Sequence, residues 1–311
     1  MSNGLQNGLD RGIAAGTFEG TRRGELSGVV GNDSLNTMLL LDLYPNAQVA
    51  VSLRRLRSAY RGSCIRVRRS SDNSEQDFGF VNNILDTASL LSFVGSGTGF
   101  VTVWYDQSGN GRNYTQTIAG NQPVIIIGGV LSSINSKPAV RTTLATTSQG
   151  LISPFSTLQD LPTTISVVNY VYQLPTSVFP YNFSIGGTAQ FQGGGGRYEI
   201  ACDNIRVFAI RRNTIDGINT TQLRATLNKQ AITTAFFGTI ELHVRDNGFS
   251  SPPTAYSGTP LNIASNFTIF CPIDFRLNGN QAMQEKVIWT TDQSRNKIGI
   301  EKNQNAYYRA F

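Results

Sequence analysis

From residue 64 onward the chain is a succession of short β-prone runs cut apart by turn-forming residues. "CIRVRR" (64–69), "QDFGFV" (76–81), "GFVTVWYD" (99–106), "TISVVNYVYQL" (164–174), "AITTAFFGTIELHVRD" (231–246) and "EKVIWTT" (285–291) are rich in β-branched and aromatic residues, and Gly, Asn, Pro or Ser stand between them. Many strands at such spacing fold as a sandwich or barrel. Charged residues make up 15% of the 311, against about a quarter in an average domain, which suits a turn-rich all-β protein better than a helical bundle. Two helices are expected beside the strands. One runs from a cap at Asn46 through Val49, Leu53, Leu56 and Tyr60 to Gly62, with its arginines mostly facing solvent. The other lies in "LDTASLLSFVG" (85–95), capped by Asp86 and stopped by Gly95.

Residues 1–35 differ from the rest. Glycine recurs every fourth position at Gly4, Gly8, Gly12, Gly16, Gly20, Gly24 and Gly28. Collagen needs every third residue, and each glycine costs a helix about 1 kcal/mol relative to alanine. With only small apolar beads (Leu5, Leu9, Ile13, Val29), the segment cannot offset its own ordering entropy. It reads as an extended arm for assembly or attachment. No linker splits residues 36–311, which read as one sandwich domain.

The net charge of +6 includes Arg54, Arg55, Arg57, Arg61, Arg66, Arg68 and Arg69, but no nucleic-acid motif accompanies them, and an amphipathic helix accounts for several. Three cysteines (Cys64, Cys202, Cys271) fit a reducing compartment better than a disulfide framework. The apolar run "PVIIIGGVL" (123–131) is too short to span a membrane.

The order "SLRRLRSAYRGSCIRVRRSSDNSEQDFGF" followed by "VTVWYDQSGNGRNYTQT" resembles the catalytic domain of the fungal α-L-arabinofuranosidase B family, which implies a concanavalin A-like jelly-roll β-sandwich. Together with the closing "EKVIWTTDQSRNKIGIEKNQNAYY" and the glycine leader, it resembles still more a group of bacteriophage virion proteins with the same sandwich. "DQSGN" (106–110) and "DQSRN" (292–296) repeat one pattern, the mark of a polar turn finishing a strand. The first copy also fits half of a calcium loop, but Thr117 stands where a bidentate Glu is needed.

The resemblance to the arabinofuranosidases implies a nucleophilic glutamate in a Gly-Asn-Ala-Glu context, and none is present. Glu199, Asp203, Glu241, Asp246 and Glu285 read as ordinary surface or turn carboxylates. His243, the single histidine, reads as a satisfied strand residue, and "GGGG" (193–196) as a loop rather than a phosphate cradle. Trp104 and Trp289 belong to the core, whereas Tyr105, Tyr114 and Tyr198 could stack on sugar rings. No catalytic residue, metal site or cofactor is assigned. The expected function is a non-enzymatic virion protein, made in the host cytoplasm, attached through its arm to other virion subunits and homo-oligomeric, with a trimer as one arrangement. The alternatives are a carbohydrate-binding module or an arabinofuranosidase-like glycoside hydrolase acting on host glycans.

Overall fold

The computed structural model describes residues 38–143, 149–153, 162–173, 183–185, 197–202, 206–212, 218–224, 228–255, 267–270 and 280–311. The glycine arm with Gly4 to Gly28, the "GGGG" loop, Asp203 and Cys271 lie outside them.

Two sheets enclose one core. The front sheet runs β3–β2–β4–β5–β8–β16–β10–β11–β12–β13. Its strands are β2 (Ile65–Arg69), β3 (Glu75–Phe78), β4 (Gly99–Trp104), β5 (Tyr114–Thr115), β8 (Leu151–Ser153), β10 (Phe183–Ile185), β11 (Arg197–Cys202), β12 (Arg206–Arg212), β13 (Ile218–Arg224) and β16 (Phe267–Ile269). The back sheet runs β15–β14–β9–β17–β1, from β1 (Val49–Ser52), β9 (Thr163–Gln173), β14 (Gln230–Phe237), β15 (Glu241–Asp246) and β17 (Asn280–Trp289). β6 (Val124–Ile127) and β7 (Val140–Arg141) join the two sheets: β6 pairs with β4, and β7 with β17. All assigned strand pairs are antiparallel, in keeping with an all-β jelly-roll sandwich.

The core follows from period-two alternation. Ile65, Val67, Val101, Trp104, Tyr198, Ile200 and Ala209 of the front sheet meet Val49, Val51, Ile165, Val167, Phe237 and Ile288 of the back. A second layer covers the outside of the back sheet. There α1 (Leu40–Leu43) and α3 (Lys297–Tyr308) pack Leu40 and Ile300 on Ala50, Val287 and Trp289. Trp104 and Trp289 are core residues, and the Trp289 indole also donates to the Tyr44 carbonyl at 3.1 Å. α2 (Thr87–Val94) matches its sequence signals: Asp86 accepts the Ser89 N–H, and Gly95 has φ +62°.

The helix expected from Asn46 does not form. Val49–Ser52 is a strand paired with Glu285–Ile288, and Asn46 sits in a left-handed turn at φ +64°. β1 is buried on both faces, with Val49 and Val51 toward the main core and Ala50 toward the helices. A strand of that kind carries no polar alternation, so the spacing of Leu53, Leu56 and Tyr60 imitated a helical stripe. Of the arginines expected mostly at the surface, Arg54 is buried.

Candidate functional site

The outer face of the front sheet, away from the core, carries polar side chains from several strands in register. In "IRVRR" the apolar residues point inward, which leaves Arg66 and Arg68 outward. Arg66 faces Asp77 across the β2–β3 pair and forks onto it, with Nε–Oδ1 at 2.8 Å and Nη2–Oδ2 at 3.0 Å. The Tyr105 hydroxyl donates to the same Oδ1 at 2.7 Å. The Arg66 hydrogen bonds hold the Asp77 carboxyl below its ordinary range. Burial, helped by Asp77, pushes the Tyr105 phenol up to about 12. Arg68 lies over the Phe100 ring, 4.5 Å from its centroid, and donates to Gln122 Oε1 at 2.8 Å. This end of the face holds an ionised carboxylate in a fixed fork, which suits recognition rather than proton donation.

Glu199 lies toward the other end. Tyr198, Ile200 and Cys202 face the core, so Glu199 projects from the opposite side of β11. It is 1% exposed and stands in register with Ile210 of β12. Arg206 and Phe208 share that face, with the guanidinium 5.0 Å from the Phe208 ring centroid. Arg206 donates to Gln222 Oε1 of β13 at 3.1 Å. A buried carboxyl, a guanidinium, an amide and an aromatic ring on one sheet face are the groups that orient and act on a sugar.

The remaining carboxylates divide. Glu285, expected at the surface, is fully buried between the back sheet and α3. Arg54 donates to it from Nε (2.8 Å) and Nη2 (3.3 Å), with further donation from Ser52 Oγ, Gln304 Nε2 and Tyr308 OH. Those bonds commit Glu285 to structure. Asp246 is buried as well and accepts from Thr233 Oγ1 at 2.7 Å. Glu241 alone of the described set is exposed as expected. The sequence could not separate these residues, because each sits singly in an ordinary strand and its burial comes from distant parts of the chain.

Of the tyrosines expected to meet glycan, Tyr114 and Tyr198 are fully buried in the core, where alternation places them, so they are corrected to packing residues. Tyr105 is partly exposed on the outer face. His243 is not satisfied: its ring stacks on Phe236 with centroids 4.4 Å apart, and its buried Nε2 has no hydrogen-bond partner. Burial, then the nearby Lys297, lowers its pKa to about 4. The repeated turn is real. Asp106 and Asp292 each accept from the backbone N–H and the hydroxyl of the serine two residues on, Ser108 and Ser294.

Residues 44–140 match the family model described as the catalytic domain of α-L-arabinofuranosidase B. The probable α-L-arabinofuranosidase B of Aspergillus flavus is 34% identical over 100 residues, as is the α-L-arabinofuranosidase B of Aspergillus oryzae. Each match takes in 30% of this chain and 20% of the relative, so the chain spans about a fifth of the length of those curated proteins. Among solved structures, an arabinofuranosidase complexed with arabinofuranosyl-alpha-1,2-xylobiose superposes with a TM-score of 0.62 at 16% identity, over 83% of this chain and 62% of that one. A GH54 α-L-arabinofuranosidase mutant soaked with 4-nitrophenyl α-L-arabinofuranoside gives 0.65 at 16% identity, over 85% and 63%.

The structural likeness is one of fold. With the sequence match, it makes the chain distantly similar to the arabinofuranosidase B catalytic domain. It also overturns the expectation of a non-enzymatic phage structural protein located in a virion. The sequence and fold matches both lead to arabinofuranosidases, the alternative reading. The virion reading rested on the glycine arm and on a likeness of short motifs, part of which falls in the 44–140 stretch that matches the arabinofuranosidase model.

Proposed function

We propose that this chain is a glycoside hydrolase of the arabinofuranosidase type, working on the outer face of its front sheet. The match of residues 44–140 to the arabinofuranosidase B catalytic model carries this reading. The likeness of fold over 85% of the chain is consistent with it. Glycoside hydrolysis uses two carboxyl groups, one on each side of the scissile bond, about 5–10 Å apart. Glu199 supplies one of them. Asp77 is not its partner: six strands lie between β3 and β11 in the sheet, a span of roughly 30 Å at the usual strand spacing.

The test is release of 4-nitrophenol from 4-nitrophenyl α-L-arabinofuranoside by the full chain, with the β-D-xylopyranoside as the control. Turnover of the arabinofuranoside alone supports the reading. Turnover of neither, at protein concentrations where the fold is intact, overturns it.

A further inference from the structure

The loop after β4 is built more firmly than a strand-ending turn requires. In its twin, Asp292 itself makes only the local serine bonds, and Gln293 N–H donates to Thr164 Oγ1. Asp106 makes those and also accepts the backbone N–H of Ala50 (2.8 Å) and of Arg112 (3.0 Å). The fully buried Gln107 side chain accepts from Leu56 N–H and donates to the Ser52 and Arg54 carbonyls. Asn110 Nδ2 donates to the carbonyls of Ala47 and Gln48, and Arg57 Nη1 to that of Ser108. Gly109 takes φ +98°, a left-handed backbone conformation that glycine adopts most readily.

These anchors hold the loop against the 45–48 turn so that a cleft of about 380 Å³ stays open between them, with Leu41 and Pro45 on its apolar side. The cleft lies beside β1, at the edge of the back sheet, apart from the outer face of the front sheet. Several of its polar groups make no bond among the described residues. Arg57 spends only Nη1, Asn110 leaves Oδ1, Gln48 leaves Nε2 while its Oε1 accepts from Arg112, and the exposed Asn46 amide has no partner. Both donors and acceptors are therefore offered, and among the described residues no carboxylate lines the cleft. A sugar hydroxyl, which donates and accepts at once, matches that mixture. The volume lies at the small end of ligand sites and accommodates one or two rings.

We infer that this cleft is a binding site for a short neutral saccharide, separate from the hydrolytic face and independent of whether that face turns over substrate. Its preorganised walls give up little entropy on binding.

The experiment is a titration of the full chain with xylobiose, followed by 1H–15N spectra, with glucuronate as the anionic comparison. The Trp289 indole, bonded to the Tyr44 carbonyl beside Pro45, and the amides of Gly109 and Asn110 are the reporters. Saturable shifts at these reporters with xylobiose are expected, weakened about tenfold or more in Arg57→Met, which loses a charged donor. Gln48→Glu keeps the acceptor for Arg112, removes the free donor, and should weaken binding too, which guards against a folding defect in the first variant. Both variants should turn over the aryl arabinofuranoside like the parent if the parent does. No saturable shift, shifts with glucuronate alone, or shifts indifferent to both substitutions would overturn the assignment.

Discussion

Arg54 Nε stands 2.8 Å from Glu285 Oε2, with both side chains withdrawn from water, so segments 231 residues apart in the sequence are joined by a buried ion pair. The Arg54 guanidinium also donates to Asn303 and lies against the rings of Tyr307 and Tyr308. The pair fixes β1, β17 and α3 to one another.

Breaking it from one side strands a charge. Glu285→Ala should destabilise the fold by about 3–5 kcal/mol, while Arg54→Met with Glu285→Met together should recover a large part of that loss. Urea unfolding of the two variants against the parent measures this. Equal stability of Glu285→Ala and the parent would contradict the reading of Glu285 as structural.

The two serine turns should answer differently. Asp106→Ala removes an acceptor from four hydrogen bonds in the protein and should cost about 2–4 kcal/mol. Asp292→Ala removes two local turn bonds at the surface and should cost under about 1 kcal/mol. Thermal unfolding of both separates a loop that anchors β1 from one that finishes a strand.

His243 gives a pH dependence of known sign. Its folded-state pKa is lowered to about 4, below the value of about 6.5 in an unfolded chain. Between those values the unfolded state binds the extra proton, so this contribution to stability is present above about 6.5 and is lost as pH falls toward 4. Because it is the single histidine, its ring resonance can be followed directly. A titration midpoint near 4 is expected, and His243→Phe should flatten the stability profile in that window. A midpoint above 6 would mean that the ring is solvated.

Where local chemistry decides the outcome, the sequence was readable. Asp86 and Gly95 bound α2 as their types demand, and Ile65 and Val67 alternate with Arg66 and Arg68 because β2 has one wet face. β1 was missed because Ala50 and Val51 are both buried, on opposite faces, and a strand covered on both sides loses its period. Glu199 and Glu285 look alike in sequence, each the single acid of its strand. Only the packing of distant segments sets one between Arg54 and Tyr308 and the other on the outer face. Tyr198 and Glu199, one residue apart, are both buried but on opposite sides of β11, because a strand turns alternate residues to opposite faces.

The most direct test of the account is the rate of hydrolysis of 4-nitrophenyl α-L-arabinofuranoside by three variants matched for folded state: Glu199→Gln, Asp77→Asn and Glu241→Gln. The account predicts loss of about a hundredfold or more in kcat for Glu199→Gln, the scale of a missing catalytic carboxyl group, with the other two close to the parent. A parent-like rate for Glu199→Gln would contradict the placement of the reaction at this carboxylate.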